Sequence, residues 1–110
     1  MTYQHQKQKK GAWYKLTLME QLANIGSEVE RAISWKNKEN KEYSTLAFYR
    51  ALELTDITIS DQKNKDRLKE IVRVREVLVD YFAGSNEYQS NDRVWQNYFY
   101  AFNYAARMLK

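Results

Sequence analysis

From Tyr14 to about Lys36, apolar residues recur every three to four positions: Tyr14, Leu18, Leu22, Ile25, Val29, Ala32 and Ile33. At 100° per residue these fall on one face of a helix, with Glu20, Asn24, Ser27 and Arg31 opposite. Gly26 lies at the edge of the apolar stripe. A glycine inside a helix costs up to about 1 kcal/mol against alanine, so its presence predicts close approach by a neighbouring helix. The run KNKENK, residues 36–41, ends the pattern with turn formers.

Three further helices follow from the same periodicity. The second is predicted over Lys41–Thr58, with Tyr43, Leu46, Ala47, Leu54 and Ile57 on one face and Phe48, Ala51, Leu52 and Ile59 widening it. An apolar arc that wide predicts packing on more than one side. The third is predicted over Gln62–Ala83, capped by Ser60 or Asp61 and closed by Gly84 in the left-handed conformation. Its inner face reads Leu68, Ile71, Val72, Leu78, Val79 and Phe82. After the loop SNEYQSN, a fourth helix starts at a Ser90 or Asn91 cap and runs to about Met108. Its expected stripe is Val94, Tyr98, Ala101, Phe102, Ala105 and Leu109, flanked by Trp95 and Phe99. The fold class expected is all-α, an antiparallel four-helix bundle with short loops, as one domain over residues 12–110.

Composition narrows the chemistry. The 110 residues include no proline, three glycines and no cysteine, which favours helix and excludes disulfides and thiolate sites. No stretch reaches the ~20 apolar residues of a bilayer span, and the N-terminus has no signal-like apolar core. The expectation is a cytoplasmic protein. The net charge is +4, but Lys7, Lys9 and Lys10 supply three of these charges, leaving +1 for the body. Residues 1–11 therefore read as a flexible basic tail, expected to be disordered. Nucleic acid is expected at most through that tail.

The only histidine is His5, and Glu28, Glu53, Glu70, Glu76 and Asp80 lack the Glu-x-x-His spacing of a bundle metal site. No metal and no cofactor is expected. Without cysteine or a core histidine, no Ser–His or Cys–His nucleophile can be assembled. Tyr100 and Tyr104, four residues apart on the outer side of helix four, form with Tyr49 a candidate protein interface. The expected partner is a second copy, as a homodimer, or another protein.

Arg50 and Arg75 fall on the wheel at the centres of apolar faces. A guanidinium cannot be buried neutral, so each must find an acid or line a cleft. Glu28 is the favoured partner, and Arg50, Arg75 and Glu28 form a candidate buried ion pair or cleft.

The stretch RVREVLVDYF, residues 73–82, resembles the motif of HEPN-domain proteins, small helical bundles of prokaryotes with a signature close to R-N-x-L-V-H-x-Y. Arg75, Glu76, Leu78, Val79 and Tyr81 follow it, while Asp80 stands in the histidine's place and Tyr81 comes one residue early. In active HEPN ribonucleases the arginine and histidine meet at a dimer cleft. The resemblance therefore implies an RNA-directed or nucleotidyltransferase-partner protein that does not cut RNA. The leading expectation is a non-enzymatic, self-associating helical interaction module.

Overall fold

Thr17 divides what the periodicity draws as one helix. In the computed structural model, which describes residues 10–108, residues 10–14 are helical and the chain then breaks before α1, Leu18–Asn37. Thr17 Oγ1 accepts from the Glu20 amide at 3.1 Å, and Glu20 Oε1 accepts from the Thr17 amide at 3.0 Å. This capping box satisfies backbone donors that an uninterrupted helix would have bonded internally. The helix expected from Tyr14 therefore starts at Leu18, and Tyr14 is exposed. Lys10 and Gly11, assigned to the tail, belong to the first helical segment. The rest of the tail, His5 and Leu109 lie outside the described residues.

Three more helices follow: α2 (Lys41–Ile59), α3 (Leu68–Ala83) and α4 (Asp92–Met108). Among the described residues there is no strand. The core face of α1 is the expected one, with Leu22, Ile25, Val29, Ala32 and Ile33 buried. α1 packs against both α2 and α4, and α3 packs on α2. Asn40 caps α2, its Oδ1 accepting from the Tyr43 amide at 3.0 Å. Tyr43 and Leu46, expected on the inner face of α2, are exposed.

The third predicted helix is two elements, a 3₁₀ stretch Gln62–Arg67 capped by Asp61 and then α3. α3 buries Ile71, Val74 and Leu78, while Val72 is exposed. Its apolar face is thus turned by about one residue from the expected one. Gly84 has φ −106°, so the left-handed turns fall instead at Asn86 and Gln89 in the loop. Asn91 caps α4, accepting from the Val94 amide at 2.9 Å. α4 is also turned from its expected phase: Trp95 and Phe99 are its buried residues, Tyr98 and Phe102 are half-buried, and Val94 is exposed.

Where the first helical segment, α1, the end of α2 and the 3₁₀ stretch converge, the core is polar. Gln21, wholly buried on α1, donates from Nε2 to the Trp13 carbonyl at 3.0 Å and to Asp61 Oδ2 at 2.9 Å. Its Oε1 accepts from Asn64 Nδ2 at 2.9 Å, and Asn64 also donates to the Thr58 carbonyl at 3.1 Å. Trp13 Nε1 donates to Thr58 Oγ1 at 2.9 Å, and Lys63 forms an ion pair with Asp61. Burial alone would raise the Asp61 pKa. The bonds from Lys63 and Gln21 outweigh it and hold the carboxyl below its ordinary value.

Candidate functional site

At Gly26 α1 and α4 come into close contact. A Cβ placed on it would lie 2.6 Å from Phe99 Cβ, inside any permitted contact. The close approach expected of this glycine is met, and its partner is the aromatic that α4 turns inward. Trp95 stacks on Phe99 with ring centroids 5.8 Å apart, and Tyr98 meets Phe99 edge-on at 5.0 Å. Tyr98 donates to Glu70 Oε2 at 3.3 Å. Burial, with the Glu70 carboxylate beside it, raises the Tyr98 phenol well above its ordinary pKa.

Outside this contact the two helices diverge into a groove of about 500 Å³, lined among others by Ala23, Gly26, Ser27, Glu30, Tyr100 and Asn103. A second hollow of about 280 Å³ shares Ala23, Ser27 and Asn103 and carries the groove on to Glu20 and Arg107. Beside it, Tyr100, Tyr104 and Met108 follow at one-turn intervals on α4, exposed by 69%, 57% and 64%. They form an unpartnered apolar ridge along one helix face. Between Arg93 and Met108 the helix carries no acid, and its ionised ends are Arg93 and Arg107, both exposed. The α1 wall is acidic, with Glu20 half-buried and Glu30 exposed. Glu30 accepts from Gln96 Nε2 across the groove at 3.2 Å.

The predicted tyrosines are therefore exposed, and Tyr100 and Tyr104 share one face. Tyr49 is exposed too but stands on α2. α2 and α4 each pack on α1 and share no extensive contact, so the three are not brought together.

The predicted arginine cluster does not assemble as expected. Arg50 is exposed, not at the centre of a buried face, because α2 buries Ala47, Ala51, Leu54 and Thr55 instead. Glu28 pairs with Arg31 one turn on, at 2.8 Å, rather than with either candidate arginine. Arg50 and Glu28 line one shallow hollow with Trp35, without an ion pair between them. Arg75 does reach an acid of another helix, but it is Asp56 of α2: Nε donates to Oδ1 at 2.6 Å and Nη2 to Oδ2 at 3.4 Å. Both side chains are more than a third exposed, so the pair contributes about 0.2–1 kcal/mol.

The rest of the HEPN-like stretch is also engaged within the chain. Asp80 accepts from the Glu87 and Tyr88 amides at 2.8 and 3.0 Å, shaping the loop after α3. Tyr81 donates to Asp92, and Lys36 Nζ donates to Tyr81 Oη at 2.7 Å and Asp92 Oδ1 at 2.6 Å. Asn37 Nδ2 adds a bond to Asp92 Oδ2 at 3.2 Å. Asp92 opens α4, so α1 and α3 together fasten that helix at its start. Burial pushes the Asp92 carboxyl up, but the bonds from Lys36, Tyr81 and Asn37 outweigh this and hold its pKa below the ordinary value. The Lys36 ammonium is penalised by burial, yet its bonds to Asp92 and Tyr81 raise its pKa overall.

A carboxyl depressed on folding stabilises the protein above its unfolded pKa, and that contribution is lost as pH falls through the folded one. Stability is accordingly expected to drop on the acid side as Asp92 and Asp61 protonate. In Asp92→Asn the neutral plateau should fall by about 1 kcal/mol, modest because the cluster is partly solvated, and the acid limb should become shallower. Urea unfolding over a pH series measures both. An unchanged acid limb would mean that Asp92 does not carry it.

Among the described residues no group of three His, Asp or Glu side chains is placed to hold a metal ion, and no helix is long and apolar enough to cross a membrane. No protein-family model, curated protein or solved structure matches the chain. The groove and ridge had a sequence signal in Gly26 and in the Tyr100–Tyr104 spacing. Asp92 and Lys36 had none, because the residues they meet are distant in the chain.

Proposed function

We propose that the chain is a non-enzymatic helical interaction module that associates with itself through the outer face of α4, its helices arranged as an antiparallel bundle. The observation that carries this reading is the ridge of Tyr100, Tyr104 and Met108 beside the groove between α1 and α4. Exposed tyrosines at one-turn spacing supply large contact area at low entropy cost, as interface anchors do. A groove floored by Ala23, Gly26 and Ser27 leaves room for such rings from a second molecule.

Sedimentation velocity on the full chain over a concentration series tests it. The expected result is a reversible monomer–dimer equilibrium, weakened about ten-fold or more by the double change Tyr100→Ser, Tyr104→Ser. The thermal midpoint should barely move, since both side chains are exposed. A species of monomer mass at every concentration would sink the reading.

A further inference from the structure

Resting on that self-association, we infer that two copies pair about a two-fold axis passing near Tyr100, with α4 antiparallel to the partner's α4 and Arg107 of each copy meeting the partner's Glu30. The docking partner is thus a second copy of this chain in one defined register.

Contacts along the groove give the level of each residue. α1 and α4 run antiparallel, since Lys36 and Asn37 bond Asp92, Glu30 bonds Gln96, Gly26 abuts Phe99, and Glu20 and Arg107 share the far hollow. Charge is divided by level and by wall. Arg93 and Arg107 flank the tyrosine ridge at its two ends, and Tyr100 stands midway between them. Neither arginine makes an ion pair among the described residues.

A parallel pairing of two α4 helices would set Arg93 against Arg93 and Arg107 against Arg107, like charge facing like. An antiparallel pairing centred on Tyr100 brings Arg107 of one copy to the Arg93 level of the other. About one turn along from that level, beside Gln96, the groove's α1 wall offers Glu30, exposed, bonded to the neutral Gln96 and within the span of an extended arginine side chain. The ridge must enter the groove between α1 and α4 to bury its rings, and that sideways offset carries Arg107 toward the acidic wall and away from Arg93. The two-fold repeats the pair, so two Arg107–Glu30 contacts close each dimer. Such an isologous surface needs acid and base on one molecule, and this groove has both.

Charge reversal tests the register in the full chain. Arg107→Glu and Glu30→Arg should each weaken dimerisation about ten-fold at low salt, because each replaces two attractions by two repulsions. The double variant Glu30→Arg, Arg107→Glu should recover most of the loss. Added salt should weaken the wild-type dimer and relieve the single variants. Melts of the monomers at high dilution check that the exposed changes leave the fold intact. If the tyrosine changes break the dimer but Arg107→Glu does not, or if the double variant fails to recover, this register is overturned while self-association stands. If the wild type never dimerises, the self-association reading falls instead.

Discussion

Replacing Gln21 by leucine is expected to lower stability by about 3–5 kcal/mol. Leucine keeps most of the side-chain volume, so the loss is chemical. Three groups lose their Gln21 partner: the Trp13 carbonyl, Asp61 Oδ2 and one bond of Asn64 Nδ2. A buried polar group left unpaired costs about 1–3 kcal/mol, more when it is charged. Lys63 still holds Asp61, Asn64 keeps the Thr58 carbonyl, and the Trp13 carbonyl keeps the Leu16 amide at 3.1 Å, which sets the upper bound. Domains of this size have only about 5–15 kcal/mol in total, so the change should be visible as a large drop in the urea midpoint. A loss below about 1 kcal/mol would mean that water takes over the role of the amide.

Gly26→Ala should cost about 2 kcal/mol despite improving helix propensity. Alanine is favoured over glycine inside a helix by about 1 kcal/mol. Against this stands a new methyl 2.6 Å from Phe99 Cβ and 2.8 Å from Cγ. The atom it meets is rooted at the α4 backbone and cannot swing away, so α4 must shift. Overpacking of this kind typically costs about 1–3 kcal/mol. Phe99→Ala keeps Cβ but removes Cγ and Cδ1, which stand 2.8 and 2.9 Å from the new methyl, and frees α4 to settle, so the double variant should be less unstable than the two single losses added together. Stabilisation by Gly26→Ala would contradict the close contact outright.

How far the sequence was legible depends on the range of the interaction concerned. The α1 core was readable because Leu22, Ile25, Val29, Ala32 and Ile33 are apolar against a clean polar opposite face. Gly26 was readable because a glycine's cost in a helix has few local reasons. α4 was misphased because its apolar arc is wide, running from Val94 and Tyr98 through Phe102 to Trp95 and Phe99. Four large aromatics, Trp95, Tyr98, Phe99 and Phe102, share that arc, and the notch at Gly26 decides which of them turns furthest inward. The start of α1 was missed although Thr17 and Glu20 have capping-box spacing, since continuous periodicity masked the stop.

The polar core was out of reach for a different reason. Nothing near Gln21 announces burial; its partners Asp61 and Asn64 are 40 and 43 positions away. Arg75 shows the intermediate case. That it needed an acid followed from its chemistry, but choosing Asp56 over Glu28 required the true phase of α3.

The place of α1 between α2 and α4 also sets an order of events as the chain leaves the ribosome. α2 follows α1 after a short turn and can cover its first side early. α4 is made after the other three helices, and until it arrives the other side of α1 stays bare around Gly26, Val29 and Ile33, the residues that share the groove with Trp95 and Phe99. Nascent chains halted before Asp92 would hold the finished part of the fold yet display that sticky strip, making them the natural clients of chaperones.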